Sequence, residues 1–211
     1  MNTHRSILIV LLFSISLQAQ DSSSFFSLTD QFLKTHVTNG AVDYETIYAA
    51  PTALNNILHL ASTLSISKDD KSYKAFWINA YNLAVIKGII DNYPLKSPLD
   101  KAGFFDKVKY NLAGQNVTLN TIENTLLRAV FNDARVHFVL VCGAKGCPPL
   151  IPNAYLPATL ENQLQEQTTL AINGTSFVKI NNKKKRVEGS EILKWYKADF
   201  VAKGQSEIDF L

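Results

Sequence analysis

Cys142 and Cys147 flank a Gly143-Ala144-Lys145-Gly146 turn a few residues after His137, in the stretch VHFVLVCGAKGCPPL (Val136 to Leu150). A thiol beside an imidazole is a nucleophile with its base, whereas two neighbouring thiols are a disulfide or half of a metal site. In an oxidising compartment a Cys142 to Cys147 bond forms easily, closing a short loop that contributes little through chain entropy. As a zinc pair with His137, the four intervening residues are at the loose end of ligand spacing, and no fourth ligand is evident. The third account is a catalytic cysteine, with Lys145 nearby to favour the thiolate. The residues alone rank the disulfide ahead of thiol catalysis, and both ahead of a metal.

The apolar run from Arg135 to Cys142 reads as a buried strand. Five residues of rise would then hold His137 and Cys142 about 16 Å apart, so Cys147, beyond the turn, is the freer nucleophile. A base needs a group to orient it. Asn79 and Asn82, three apart on an apolar helix, offer buried amides. Their expected role is to bond the backbone of a neighbouring loop, and the sharper alternative is that one of them orients a histidine or faces an oxyanion. Glu123 reads either as the third residue of a helix capped by Asn120 or as an acid in the site. Arg128, five residues on, would lie partly around an α-helix from Glu123 and pair elsewhere.

The elements that must position these groups follow from periodicity. FFSLTDQFLKTHV and PTALNNILHLASTL have helical spacing, the second opened by Pro51. His36 and His59 fall on them in structural roles. KSYKAFWINAYNLAVIKGIIDNYP is an almost continuously apolar helix, buried on most sides and ended by Pro94. KVKYNLAGQNVTLN is a hairpin around Ala113-Gly114, TIENTLLRAVF a helix ending near Asn132-Asp133, and LPATLENQLQEQTTLAI another helix. FVKINNKKKRVEG is a second hairpin, and Ser190 caps a last helix, SEILKWYKADF. Without an internal repeat or a Pro/Gly/Ser linker, this order predicts one α+β domain: a buried central helix and further helices packed on a small mixed or antiparallel sheet with hairpins.

The first nineteen residues have Arg5 in a short polar start, an apolar stretch from Ile7 to Leu17, and Ala19 in a polar setting. That is the layout of a cleaved export signal rather than a stable membrane anchor, and no cysteine stands near the cut to carry a lipid. The expected mature chain, 20–211, is a periplasmic or extracellular single domain. A hydrophobic share of 46% over the full sequence leaves enough apolar residues in it to build a core without disulfides. Losing Arg5 and no acid takes the formal charge from +3 to +2, which argues against nucleic acid as a partner. The run Lys183-Lys184-Lys185-Arg186 reads as a solvated hairpin tip. There is no glycine-rich phosphate loop, nucleophile elbow, metalloprotease helix or thioredoxin-type cysteine pair. No metal or cofactor is implied.

Taken together, FWINAYN (Phe76 to Asn82), IENTLLR (Ile122 to Arg128), VHFVLVCGAKGCPPL and WYKADF (Trp195 to Phe200) resemble, in order and spacing, the domain of unknown function 547 family. The resemblance spans about Lys71 to Phe200, and the cysteine segment is its most specific part. The family has no settled activity. Its intracellular plant members imply that the cysteine pair is not only a staple for oxidising compartments. By resemblance the marked residues are Asn79, Tyr81, Asn82, Glu123, Arg128, His137, Cys142, Cys147, Trp195, Tyr196 and Asp199, expected to converge on one cleft. The chain departs from the family pattern at Asn124, where a histidine is common, and at Gly146, where a serine is common.

These observations define two functional expectations. One is a thiol-dependent hydrolase or acyl-transfer enzyme acting on peptide or amide bonds, with Cys147 or Cys142 as nucleophile, His137 as base and Asn79 or Glu123 as orienter. In it, Tyr81, Asn82, Arg128, Lys145, Trp195, Tyr196 and Asp199 bind the substrate. The other is a non-catalytic module that takes a peptide, partner or small molecule in the same polar cleft, with the cysteines oxidised.

Overall fold

The computed structural model describes residues 22–143, 148–174, 177–201, 206 and 210. The expected leader, Lys145 and Cys147 lie outside them.

The chain is built around α4 (Tyr73–Ile90), whose sequence has apolar side chains on every face and an acid on none. Every α4 residue except Lys87 is buried. Such a helix is stable only when other elements surround it. Around it pack α1 (22–36), α2 (Tyr44–Ala49) and α3 (Thr52–Thr63), which bury Phe25, Phe32, Leu33, Ile47, Leu54 and Ile57 in one continuous core with Phe76, Trp77, Ile78 and Leu83. Gly88 marks a close approach: a Cβ there would lie 2.6 Å from the Tyr110 hydroxyl and 2.9 Å from the Phe104 ring.

Three two-stranded antiparallel hairpins accompany the helices: β1 (Val37–Thr38) with β2 (Ala41–Val42), β3 (Tyr110–Leu112) with β4 (Gln115–Val117), and β5 (Val178–Asn181) with β6 (Arg186–Gly189). Among the described residues they form three separate sheets. The expected turn at Ala113-Gly114 is present, both residues having positive φ, and its N–H groups bond Ala61 and Ser62 at the end of α3. The α+β class is as read from the sequence. None of the described helices is long and apolar enough to cross a membrane.

One continuous helical rod follows β4: α5 (Leu119–Thr121), a π-helical segment Ile122–Arg128, and α6 (Ala129–Phe131), stopped by Asn132 in the left-handed conformation. Its cap is Thr118, whose hydroxyl accepts the Thr121 N–H at 3.1 Å. The expected cap, Asn120, is already inside the helix. Glu123 is thereby released from a capping box.

The largest correction concerns the expected strand from Arg135 to Cys142. Ala134–Phe138 is a 3-10 helix, begun by the Asp133 carboxylate accepting the Arg135 N–H. The 16 Å separation of His137 from Cys142 assumed a strand and does not apply. A short apolar run carries no period that separates strand from buried turn. The segment needs no strand partner because Asn82 supplies one: its Nδ2 donates to Val139 O at 2.9 Å, and its Oδ1 accepts Val141 N–H at 3.0 Å. Asn79 does the same for Tyr155, donating to its carbonyl at 2.7 Å and accepting from its N–H at 3.0 Å.

Beyond this lie α7 (Leu160–Asn173), then β5 and β6, then α8 (Glu191–Trp195), capped as expected by Ser190, and α9 (Lys197–Val201). Lys74, Asp133, Arg135 and Glu161 join α4, the 3-10 helix and α7 in one ion-pair network, with Lys74 Nζ 2.6 Å from Asp133 and Arg135 2.6 Å from Glu161. A smaller core of Ala134, Phe138, Phe177 and Phe200 holds the C-terminal helices against the 3-10 helix.

Replacing Asn82 by alanine leaves a buried carbonyl and a buried N–H unpaired. It should lower the unfolding free energy by about 2–4 kcal/mol in urea titrations. A loss below about 1 kcal/mol would mean that the segment does not depend on this amide.

Candidate functional site

The 3-10 turn buries Phe138 in the smaller core and turns its neighbour His137, 5% exposed, towards α8 and α9. Asp199 of α9 meets it there, with Oδ2 2.6 Å from His137 Nε2. Arg128 reaches the same carboxylate from the π-helical segment in a fork, Nε to Oδ2 at 2.6 Å and Nη2 to Oδ1 at 3.0 Å. Its remaining arm, Nη1, donates to Asn124 Oδ1. The Tyr196 ring stacks on His137 at 3.9 Å between centroids and carries the Arg128 guanidinium 4.7 Å from its centre. Tyr81 and Tyr196 lie within electrostatic reach of the Glu123 carboxylate.

The π segment explains why Glu123 and Arg128 share this site. In an α-helix, residues five apart point roughly 140° from each other. A π turn bonds residue i to i+5, as Ala129 N–H does to Asn124 O, so residues five apart come onto nearly one line. The expected poor geometry between Glu123 and Arg128 assumed an α pitch that this segment does not have.

Protonation states follow from the contacts. Burial is the largest influence on Asp199 and raises its pKa, but the bonds from Arg128 and His137 outweigh burial and hold the carboxyl below its usual range. The Asp199 contact raises the Arg128 pKa above its ordinary value. Burial lowers the His137 pKa, only partly opposed by Asp199, so the imidazole is neutral at pH 7. An ionised carboxylate can only accept, so Nε2 carries the His137 proton and Nδ1 keeps the lone pair. Burial, then Glu123, raises the Tyr81 pKa well above its ordinary value, and the same two influences raise that of Tyr196.

Six of the expected residues thus come together: Tyr81, Glu123, Arg128, His137, Tyr196 and Asp199. Asn79 and Asn82 do not join them as orienters; both amides are engaged by backbone, Asn82 by Val139 and Val141 and Asn79 by Ala75 and Tyr155. The group that orients His137 is Asp199, which the sequence reading had placed among binding residues. Trp195 stands beside the cluster on α8, 70% exposed. Asn124, where the resemblance leads one to expect histidine, bridges Arg128 and Asn120, to whose Oδ1 its amide donates at 2.6 Å. Cys142 is disulfide-bonded, so it is not available as a thiolate in this state. Cys147 and Lys145 lie outside the described residues. Among the described residues no three His, Cys, Asp or Glu side chains are grouped to hold a metal ion.

A family model described as "Protein of unknown function, DUF547" matches residues 65–170, half of the chain. The chain belongs to the DUF547 family. The matched span holds Tyr81, Glu123, Arg128, His137 and Cys142, whereas Tyr196 and Asp199, which close the DUF547 site, lie C-terminal to it. No curated protein and no solved structure matches the chain.

Between its depressed folded pKa and the unfolded value of about 6.5, His137 binds fewer protons folded than unfolded. Its contribution to stability is whole above about pH 6.5 and is lost as the pH falls towards the folded value. Asp199 adds a second loss, beginning as the pH falls below about 3.9. Unfolding midpoints measured against pH should show both limbs, and His137→Gln should flatten the upper one. An upper limb unchanged in that variant would place its origin elsewhere.

Proposed function

We propose that this DUF547 domain is a non-catalytic binding module. Its ligand, a peptide or a small molecule with N–H donors, seats on the exposed side of the Tyr81, Glu123, Arg128, His137, Tyr196 and Asp199 cluster, and Cys142 and Cys147 are joined. The observation that carries this reading is the oxidised state of Cys142, together with a His137 whose Nε2 is already committed to Asp199. An imidazole so placed has no described thiol to activate. The cluster instead offers recognition groups held rigid by one another, the economical arrangement for a binding surface. Glu123 is partly exposed, and a carboxylate has about four acceptor positions to offer a ligand. Trp195, a few residues from Asp199, adds an exposed aromatic platform. Export, which the layout of residues 1–19 supports, would keep such a disulfide intact.

One observation favours a second reading, the thiol-dependent hydrolase or acyl-transfer enzyme. A neutral imidazole oriented through one nitrogen by a carboxylate, with its other nitrogen unprotonated, is what a general base requires. In that reading reduction frees the thiol, and Asp199 rather than Asn79 or Glu123 is the orienter.

Intact mass after iodoacetamide treatment of the native chain separates the two. The binding module should take no label until reductant is added. Rapid labelling without reductant would overturn it and favour the enzyme. Calorimetric titration with a mixed pool of short peptides should then show binding that Glu123→Gln weakens about tenfold, the worth of one charge-assisted hydrogen bond. No heat of binding, or no effect of the variant, would remove the cluster as the ligand site.

A further inference from the structure

Among the described residues, none covers the outer half of the β5–β6 hairpin. Every residue from Lys179 to Gly189 is exposed. In its register Ile180 faces Val187 across the strands, and Asn181 faces Arg186. Side chains alternate across a ribbon, so Ile180 and Val187 lie side by side on one face. They are 68% and 59% exposed, an apolar pair that a solvated tip does not need. Immediately beyond them the turn is shaped by side chain and backbone together. Asn181 Oδ1 accepts the Lys184 N–H at 3.0 Å, and Lys185 adopts a positive φ of 48°. That geometry presents Lys183, Lys184, Lys185 and Arg186 around the tip, with Lys179 on the strand and Glu188 as the one acid of the ribbon.

We infer that this hairpin docks on an anionic lipid surface, with Ile180 and Val187 entering the interface and the tip cations lying among the headgroups. Charge complementarity supplies the first half of the argument, since five cations against one acid call for a negative partner. The apolar pair supplies the second. A soluble polyanion would use the lysines and leave Ile180 and Val187 in water, whereas a bilayer offers negative charge and an apolar layer within a few ångströms of each other. The attachment is peripheral and reversible, and it needs no spanning helix. It stands apart from the ligand reading of the His137 cluster and fails or survives independently of it.

The test is co-sedimentation of residues 20–211, which keep every described residue, with vesicles of phosphatidylcholine alone or mixed with phosphatidylglycerol. Binding should require phosphatidylglycerol and fall as sodium chloride is raised. The triple variant Lys183→Gln, Lys184→Gln, Lys185→Gln should weaken it about fivefold per lysine, roughly a hundredfold in all. Ile180→Ser with Val187→Ser should weaken it about tenfold without removing a charge. All five positions are exposed, so circular dichroism melts of the variants should match the parent. No sedimentation with the anionic vesicles overturns the inference. So does binding that the two serine substitutions leave unchanged while dextran sulfate competes fully, which assigns the tip to soluble polyanions. A dimer in gel filtration that those substitutions abolish overturns it in favour of a second copy of the chain.

Discussion

Two asparagine amides on the buried central helix carry the constraint on which the rest of the site depends. A helix surrounded on all sides brings other segments of chain against it, and the backbone of those segments must be satisfied away from water. Neither Val139–Val141 nor Tyr155 belongs to a sheet, yet both are buried. Asn82 and Asn79 each present one donor and one acceptor, as a neighbouring strand would. They lock Val139–Val141 and Tyr155 to the central helix, and the 3-10 turn bearing His137 ends where the first of these contacts begins.

Around His137 the fold assembles its charges from distant parts of the chain. Arg128 comes from the π-helical segment and Asp199 from the last described helix, 71 residues apart in sequence. Their fork, the imidazole and the Tyr196 ring depend on one another. The carboxylate is ionised because Arg128 and His137 face it, and the imidazole keeps a fixed tautomer because the carboxylate is ionised. The smaller aromatic core of Phe138, Phe177 and Phe200 supplies the apolar backing that keeps these partners in register.

Much of this was legible from residue types. The apolar run of α4, the positive-φ turn at Ala113-Gly114, the Ser190 cap and the β5–β6 hairpin all follow from local chemistry that the fold does not override. The six residues of the cluster were named through the family resemblance, although Asp199 was not recognised as the orienter of His137. That pairing is set by tertiary packing, and nothing near Asp199 in sequence announces it. The 3-10 helix was missed because a short apolar stretch carries no period, and the Asp133 cap that starts it was read as the end of the preceding helix. The Thr118 cap lost to Asn120 because Asn120 with Glu123 imitates a capping box. The π segment has no pattern of its own in single-letter code.

A π turn holds one more residue than the α turn it interrupts. Deleting a single residue between Ile122 and Arg128 would therefore not break the rod. It would restore ordinary pitch and leave Arg128 four residues from Glu123, the α-helical spacing at which two side chains share a face. The identity of the side chains at its two ends, rather than the exact length of this segment, is thus what defines this part of the site. A chain that kept both Glu123 and Arg128 but lacked one residue between them would still present its acid and its guanidinium on one side of the helix, so the pair survives a change of pitch at this point.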